Sequence, residues 1–107
     1  MKMKFFIGFA ILGLSLASAK SYEISVDTVS KVGDVQLQPG AYKVTLDGSK
    51  VKFTNEDSGK SVETNGTVEQ TNKAKFDATA LETVQNNGVT TVNEIDLGGT
   101  RTDIKFK

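Results

Sequence analysis

Three residue types are missing altogether. The 107-residue chain has no cysteine, no histidine and no tryptophan, and Pro39 is its single proline. Without cysteine there is no disulfide staple, no thiolate nucleophile and no residue to carry a lipoprotein's acyl anchor. Without histidine the usual imidazole base is lost, and with it Ser-His-Asp chemistry and the His/Cys ligand sets of zinc and copper. Without tryptophan, and with Tyr22 and Tyr42 both expected on inner faces, a flat stacking platform for sugars or aromatic ligands is not expected. Positive charge is not in excess either: 13 Lys and Arg balance 13 Asp and Glu, and no basic cluster occurs. Nucleic acid and anionic membrane surfaces call for a concentrated Lys/Arg patch, so neither is an expected partner.

Long apolar runs are scarce as well, and the one that exists is at the start. Lys2 and Lys4 precede an apolar run from Phe5 to Leu16, and Ala17, Ser18, Ala19 supply small residues before Lys20. This is the pattern of a secretory signal peptide helix over residues 1–19, cut between Ala19 and Lys20. The run is shorter than the roughly 20 apolar residues of a membrane span, so no stable membrane insertion is expected after cleavage. Cleavage leaves 88 of the 107 residues and 11 basic against 13 acidic groups. One small domain, residues 20–107, is the expected organisation. A cysteine-free exported domain is ordinary for a bacterial protein, which points to the periplasm or the cell exterior.

What remains is strand pattern. Tyr22, Ile24 and Val26 alternate with polar residues and read as a first strand. Thr28 to Asp34 read as a loop; Val29 and Val32 are spaced for one helical turn, which Gly33 and the β-branched residues disfavour. From Val35 to Phe53, alternation runs through a Pro39-Gly40 corner and an Asp47-Gly48 corner. A two-residue turn at Asp47-Gly48 sets Leu46 opposite Ser49, Val44 opposite Val51 and Tyr42 opposite Phe53, with Lys43, Thr45, Lys50 and Lys52 on the wet face. Asn55 to Gly59 form a turn. Val62, Thr64, Gly66 and Val68 share a face if the segment is one strand with Gly66 as a bulge or bend; a hairpin at Asn65-Gly66 would mix the faces. Thr71 to Lys73 make the next corner.

A hairpin at Asn87-Gly88 sets Val84 against Thr91, Ala80 against Ile95 and Ala78 against Leu97, with Phe76 on the same parity. Leu81 and Val92 then point the other way, so either both faces carry some burial or a bulge near Ala80 re-aims the strand. A final turn at Gly98-Gly99 pairs Asp96 with Arg101 as an outer ion pair and carries Ile104 and Phe106 onto the inner face. Seven to eight strands, with corners every eight to twelve residues, predict an all-β fold: an antiparallel β-sandwich or a small barrel. A transmembrane barrel is not expected, because the strands are short and their second face carries Lys, Glu and Thr.

Little chemistry is on offer. Glu94 and Asp96, two apart on one strand, project from one face as glycosidase carboxylates would, but a solvated outer face beside Arg101 accounts for them. Asn55, Asp57 and Gly59 fail the calcium-loop pattern, since twelve positions from Asn55 stands Gly66 in place of a glutamate. Gly98-Gly99 lies between strands and is no phosphate loop. No catalytic residue, metal or cofactor is expected.

Two pieces carry a resemblance. Leu37, Gln38, Pro39, Gly40, Ala41, Tyr42, Lys43, Val44 resemble the L-x-P-G-x-Y-x-V corner of bacterial surface and periplasmic β-sandwich modules. The tail from Glu94 to Phe106, with Ile95, Leu97, Gly98, Gly99 and Thr100, is similar to the ending of small exported bacterial proteins of unknown function. The resemblance implies a fold and carries no site residues. The expected role is a non-enzymatic module acting by protein contact in the envelope or outside the cell, through an edge strand that meets another protein or a second copy. The strand from Lys60 to Gln70 would be a protected edge. The alternative is a small carrier holding an apolar ligand between its sheets. Protein recovered from its own cells should begin at Lys20; an intact-mass measurement that still includes residues 1–19 would contradict the leader reading.

Overall fold

The computed structural model describes residues 20–106, so the expected leader and Ala19 lie outside the described residues; Lys20 is the first described and is exposed. No helix occurs among them. Ten strands follow in order: β1 (Ser21–Val26), β2 (Ser30–Val32), β3 (Val35–Leu37), β4 (Gly40–Asp47), β5 (Lys50–Asn55), β6 (Ser61–Asn65), β7 (Thr67–Gln70), β8 (Ala80–Asn86), β9 (Val89–Asp96) and β10 (Thr102–Lys105). The all-β expectation holds, with more strands than expected. The first sheet has the order β1-β4-β5-β6, the second β3-β2-β9-β10-β7 with β8 also paired to β9. Among the described residues both sheets are open and have free edges.

Alternation builds the core from both sheets. Ile24, Val26, Tyr42, Val44, Val51 and Phe53 of the first sheet join Val32, Leu37, Val92, Ile95, Leu97, Ile104 and Phe106 of the second in one buried cluster. Phe53 and Phe106 meet with ring centroids 6.4 Å apart and tilted by 44°, a favourable aromatic arrangement. Tyr42 is buried and its hydroxyl donates to Gln38 O at 2.7 Å across the Pro39-Gly40 corner. A second tie holds the sheets together: Thr64 Oγ1 on β6 donates to Asp34 Oδ1 at 2.6 Å in the β2–β3 turn.

Two hairpin registers differ from expectation by two residues, which preserves every face. Leu46 pairs with Val51, Val44 with Phe53, Tyr42 with Asn55 and Asp47 with Lys50, so Gly48-Ser49 forms the loop. Gly48 alone has positive φ, 63°. A turn that needs positive φ only at its first central position takes glycine there, and Asp47 stays in the strand. At the other hairpin Asp96 pairs with Asp103 and Ile95 with Ile104. Gly98-Gly99 is therefore part of a longer loop, closed by Leu97 N–H to Thr102 O at 3.1 Å and Thr100 N–H to Leu97 O at 3.2 Å. Arg101 sits exposed in that loop, and the expected Asp96–Arg101 pair does not form.

The expected loop over residues 28–34 contains β2. Its pairing is partly local and partly distant: Ser30 to Val32 pair antiparallel with β3 across a two-residue turn at Gly33-Asp34, and parallel with Thr90 to Val92 of β9. The 61–70 segment does run on without a hairpin, but β6 pairs with β5 and β7 with β10, so the chain changes sheets at Gly66. As an edge, its position is as expected: β6 ends the first sheet and β7 the second.

Gly66 is tightly enclosed. Its N–H donates to Ser49 O at 2.9 Å, and a β carbon there would lie 2.5 Å from Ile104 Cγ2, 3.1 Å from Phe106 Cε1 and 3.3 Å from Lys105 O. Overpacking of this kind costs roughly 1–3 kcal/mol. Gly66→Ala should lower the urea unfolding midpoint accordingly, and an unchanged midpoint would contradict the crossover geometry.

Candidate functional site

The β8–β9 hairpin positions everything of chemical interest. Asn87 (φ 55°) and Gly88 (φ 79°) make the expected two-residue turn, and Val84 pairs with Thr91 as read from the sequence. Beyond that the ladder breaks between Glu82 and Thr83: Thr83 pairs with Val92 and Glu82 with Glu94, leaving Asn93 as an extra residue. This is a β-bulge, and it reverses the parity of β9. Val92 and Ile95, three apart, are both buried. Leu81, not Ala80, stands opposite Ile95, and Ala80 stands opposite Asp96. The expected apolar face of Ala78, Ala80 and Val84 is accordingly exposed.

On its inner side β8 presents Leu81, Thr83 and Gln85 to a groove of about 680 Å³, walled opposite by residues 23–28 of β1 and the turn after it. A strand has two flanks. Among the described residues β1 pairs with β4 alone and β8 with β9 alone, so each keeps one flank without a strand partner there. Ile24, Val26, Ala41 and Leu81 form the apolar part of the lining; hydroxyl, amide and carboxylate groups form the rest. Glu23 and Asp27 line the groove, and among the described residues no basic one does. Glu56 stands next to Glu23, and the hydrogen bond between them raises the Glu56 carboxyl above its ordinary value, with further contributions from burial and the Glu23 charge.

On the outer side the strands gather carboxylates. Glu82 on β8 with Glu94 and Asp96 on β9 offer oxygens that all lie within 4.8 Å of one another. Asp103 on β10 pairs in register with Asp96 and is within hydrogen-bonding reach of Glu94. Lys105, on the same face, is engaged by Glu69 of β7 at 3.0 Å. Glu94 is pushed up to about 8, first by its hydrogen bond with Asp96, then by burial, then by a hydrogen bond with Asp103 and the charges of Glu82 and Asp103. At neutral pH Glu94 therefore holds a proton. Among the described residues, Glu82, Glu94 and Asp96 are the ones whose carboxylate oxygens come close enough together to share a metal ion.

The expectation for Glu94 and Asp96 was right about the shared face and wrong about its surroundings, because both are half-buried among acids and Arg101 is elsewhere. The pair was legible in the sequence; Glu82 and Asp103 were not, since their approach depends on the bulge and the register shift. Asn55 is committed to its turn, with Oδ1 accepting from Asp57 N–H and Ser58 N–H, both at 2.9 Å. No known protein family, curated protein or solved structure matches this chain.

The Glu94 shift has a sign. Its folded value of about 8 lies above the ordinary 4.5, so between those values the folded chain binds a proton that the unfolded chain has released. Stability is then highest at the acid end of that window and falls as pH rises through about 8. No histidine titrates in that range to obscure it. Urea midpoints in divalent-free buffer should fall from pH 5 to pH 8, and Glu94→Gln should flatten the slope. An equal slope in both proteins would contradict the assignment.

Proposed function

We propose that this chain is an exported bacterial β-sandwich module, without catalytic activity, that acts by receiving an extended strand of a partner protein between β1 and β8. The sandwich reading rests on the two open sheets whose apolar residues share one core, and on the resemblance of the Leu37 to Val44 corner to such modules. Export rests on the leader pattern of residues 1–19.

The observation that carries the contact reading is the groove. Two unpaired strand edges, one from each sheet, border a single opening, and unpaired edges are where backbone groups are free to take up another strand. β1 spans six residues and β8 seven, enough for an ordinary strand to run alongside. β8 is also poorly guarded as an edge: Glu82 is its one charge, and Val84 at its outer face is exposed. The acidic lining favours a partner strand that carries lysine or arginine. Of the two expected roles, contact has the better support, because much of the groove lining is polar and suits backbone and polar partners better than an apolar ligand.

A photo-crosslinking residue in place of Thr83 or Gln85, expressed in the native host, should give adducts of defined mass with another protein. The same residue at Lys52, on the outer face of the first sheet, should give few. Absence of adducts at the groove, or equal labelling from Lys52, would contradict the reading. Adducts of twice the chain mass would reassign the occupant to a second copy.

A further inference from the structure

We infer that the strand received beside β1 carries a five-residue pattern, cation-apolar-any-apolar-cation, with its two lysines or arginines facing Glu23 and Asp27. The pattern rests on the docking of a strand between β1 and β8 proposed above, and adds which strand is taken. Glu23 and Ser25 lie on the exposed face of β1, while Ile24 and Val26 are buried in the core. Asp27 is exposed one residue past the end of the strand, and Glu23, Ser25 and Asp27 all line the groove. Two carboxylates thus stand four residues apart along one border, with a small hydroxyl midway.

A strand that pairs with β1 must repeat its alternation, because side chains opposite one another across a ladder point to the same face. Residues of the incoming strand beside Ile24 and Val26 therefore turn inward, toward Leu81 on the facing wall, and suit apolar side chains. Those beside Glu23 and Asp27 turn outward, where an ammonium or guanidinium group meets a carboxylate and the charged head stays in water. The side chain beside Ser25 meets no such demand. Four residues of extended chain span about 13 Å, so the cations belong at positions i and i+4 of the incoming strand. The acids are symmetric about Ser25, and the pattern fits a strand running in either direction.

Neither carboxylate is already matched. Lys43 pairs in register with Glu23, but from the β4 side, and the ion pairs among the described residues join Lys50 to Glu63 and Lys105 to Glu69. Glu56 hydrogen-bonds to Glu23, so a third acid stands at this border. Like charges directly opposite one another destabilise a ladder, which sets the groove against strands with Asp or Glu at either outer position.

The test adds the end-blocked heptapeptide TKVTVKT to the nitrogen-labelled full chain and follows the NMR shifts of Glu23 to Thr28 and of Thr83. One comparator, TQVTVQT, keeps the alternation without charge. The other, TVKTKVT, has the same residues with its lysines two apart, so that only one can reach an acid. Favourable cross-strand charge pairs each multiply affinity by a small factor, so TKVTVKT should bind roughly two- to thirtyfold more tightly than TQVTVQT, with TVKTKVT between them. The advantage should shrink in about 1 M salt and in Glu23→Gln, a change at an exposed position. Equal binding of the three peptides, or an advantage undiminished in Glu23→Gln, would overturn the pattern and leave strand docking in place. Binding of none at millimolar concentration would overturn the docking and the pattern together.

Discussion

The extra residue at Asn93 is the constraint on which the rest depends. A strand alternates its side chains strictly, and a single inserted residue reverses everything beyond it. In β9 the reversal lets Val92 and Ile95 both enter the core, although they are three apart. It also turns Glu94 and Asp96 outward beside Glu82, and leaves Thr83, Gln85 and Thr90 facing the groove. One backbone irregularity thus sorts apolar, acidic and hydroxyl side chains into three places.

β9 can bear that role because it is the most heavily paired strand. β2 joins it in parallel at Thr90 to Val92 and β10 antiparallel at Glu94 to Asp96, so the two share one flank in succession while β8 occupies the other. The bulge falls between those two partners. Around β9 the usual devices finish the fold: alternating burial on β4 and β5, the Thr64–Asp34 tie between sheets, and a glycine at position 66 where no β carbon fits. A domain without disulfides relies on these contacts for its stability.

Much of this was legible in the residues, and what was hidden has physical causes. Alternation in Tyr22 to Val26 and in Ala41 to Phe53 marked the inner faces correctly, because periodicity survives a register error of two. The same error changes who faces whom, which is why Asp103 and not Arg101 stands opposite Asp96. Asn87-Gly88 announced its turn because both residues tolerate positive φ, whereas Asp47-Gly48 misled because only one such position was needed. β2 left a weak local signal: three residues form only a short hairpin with β3 across Gly33-Asp34, and the parallel partner that completes their pairing, β9, is some sixty residues away. The carboxylate cluster was half visible, its β9 pair written in the spacing of Glu94 and Asp96 and its third member, Glu82, delivered by the pairing of β8 with β9.

The most direct measurement of the central claim is the cross-strand NOE pattern along β8, β9 and β10 in a labelled sample. Backbone NOEs linking Leu81 with Ile95, Thr83 with Val92 and Asp96 with Asp103 are the result the bulged register requires. NOEs linking Ala80 with Ile95 and Asp96 with Arg101 would mean an unbroken ladder, and the core, the acidic cluster and the groove would all have to be redrawn.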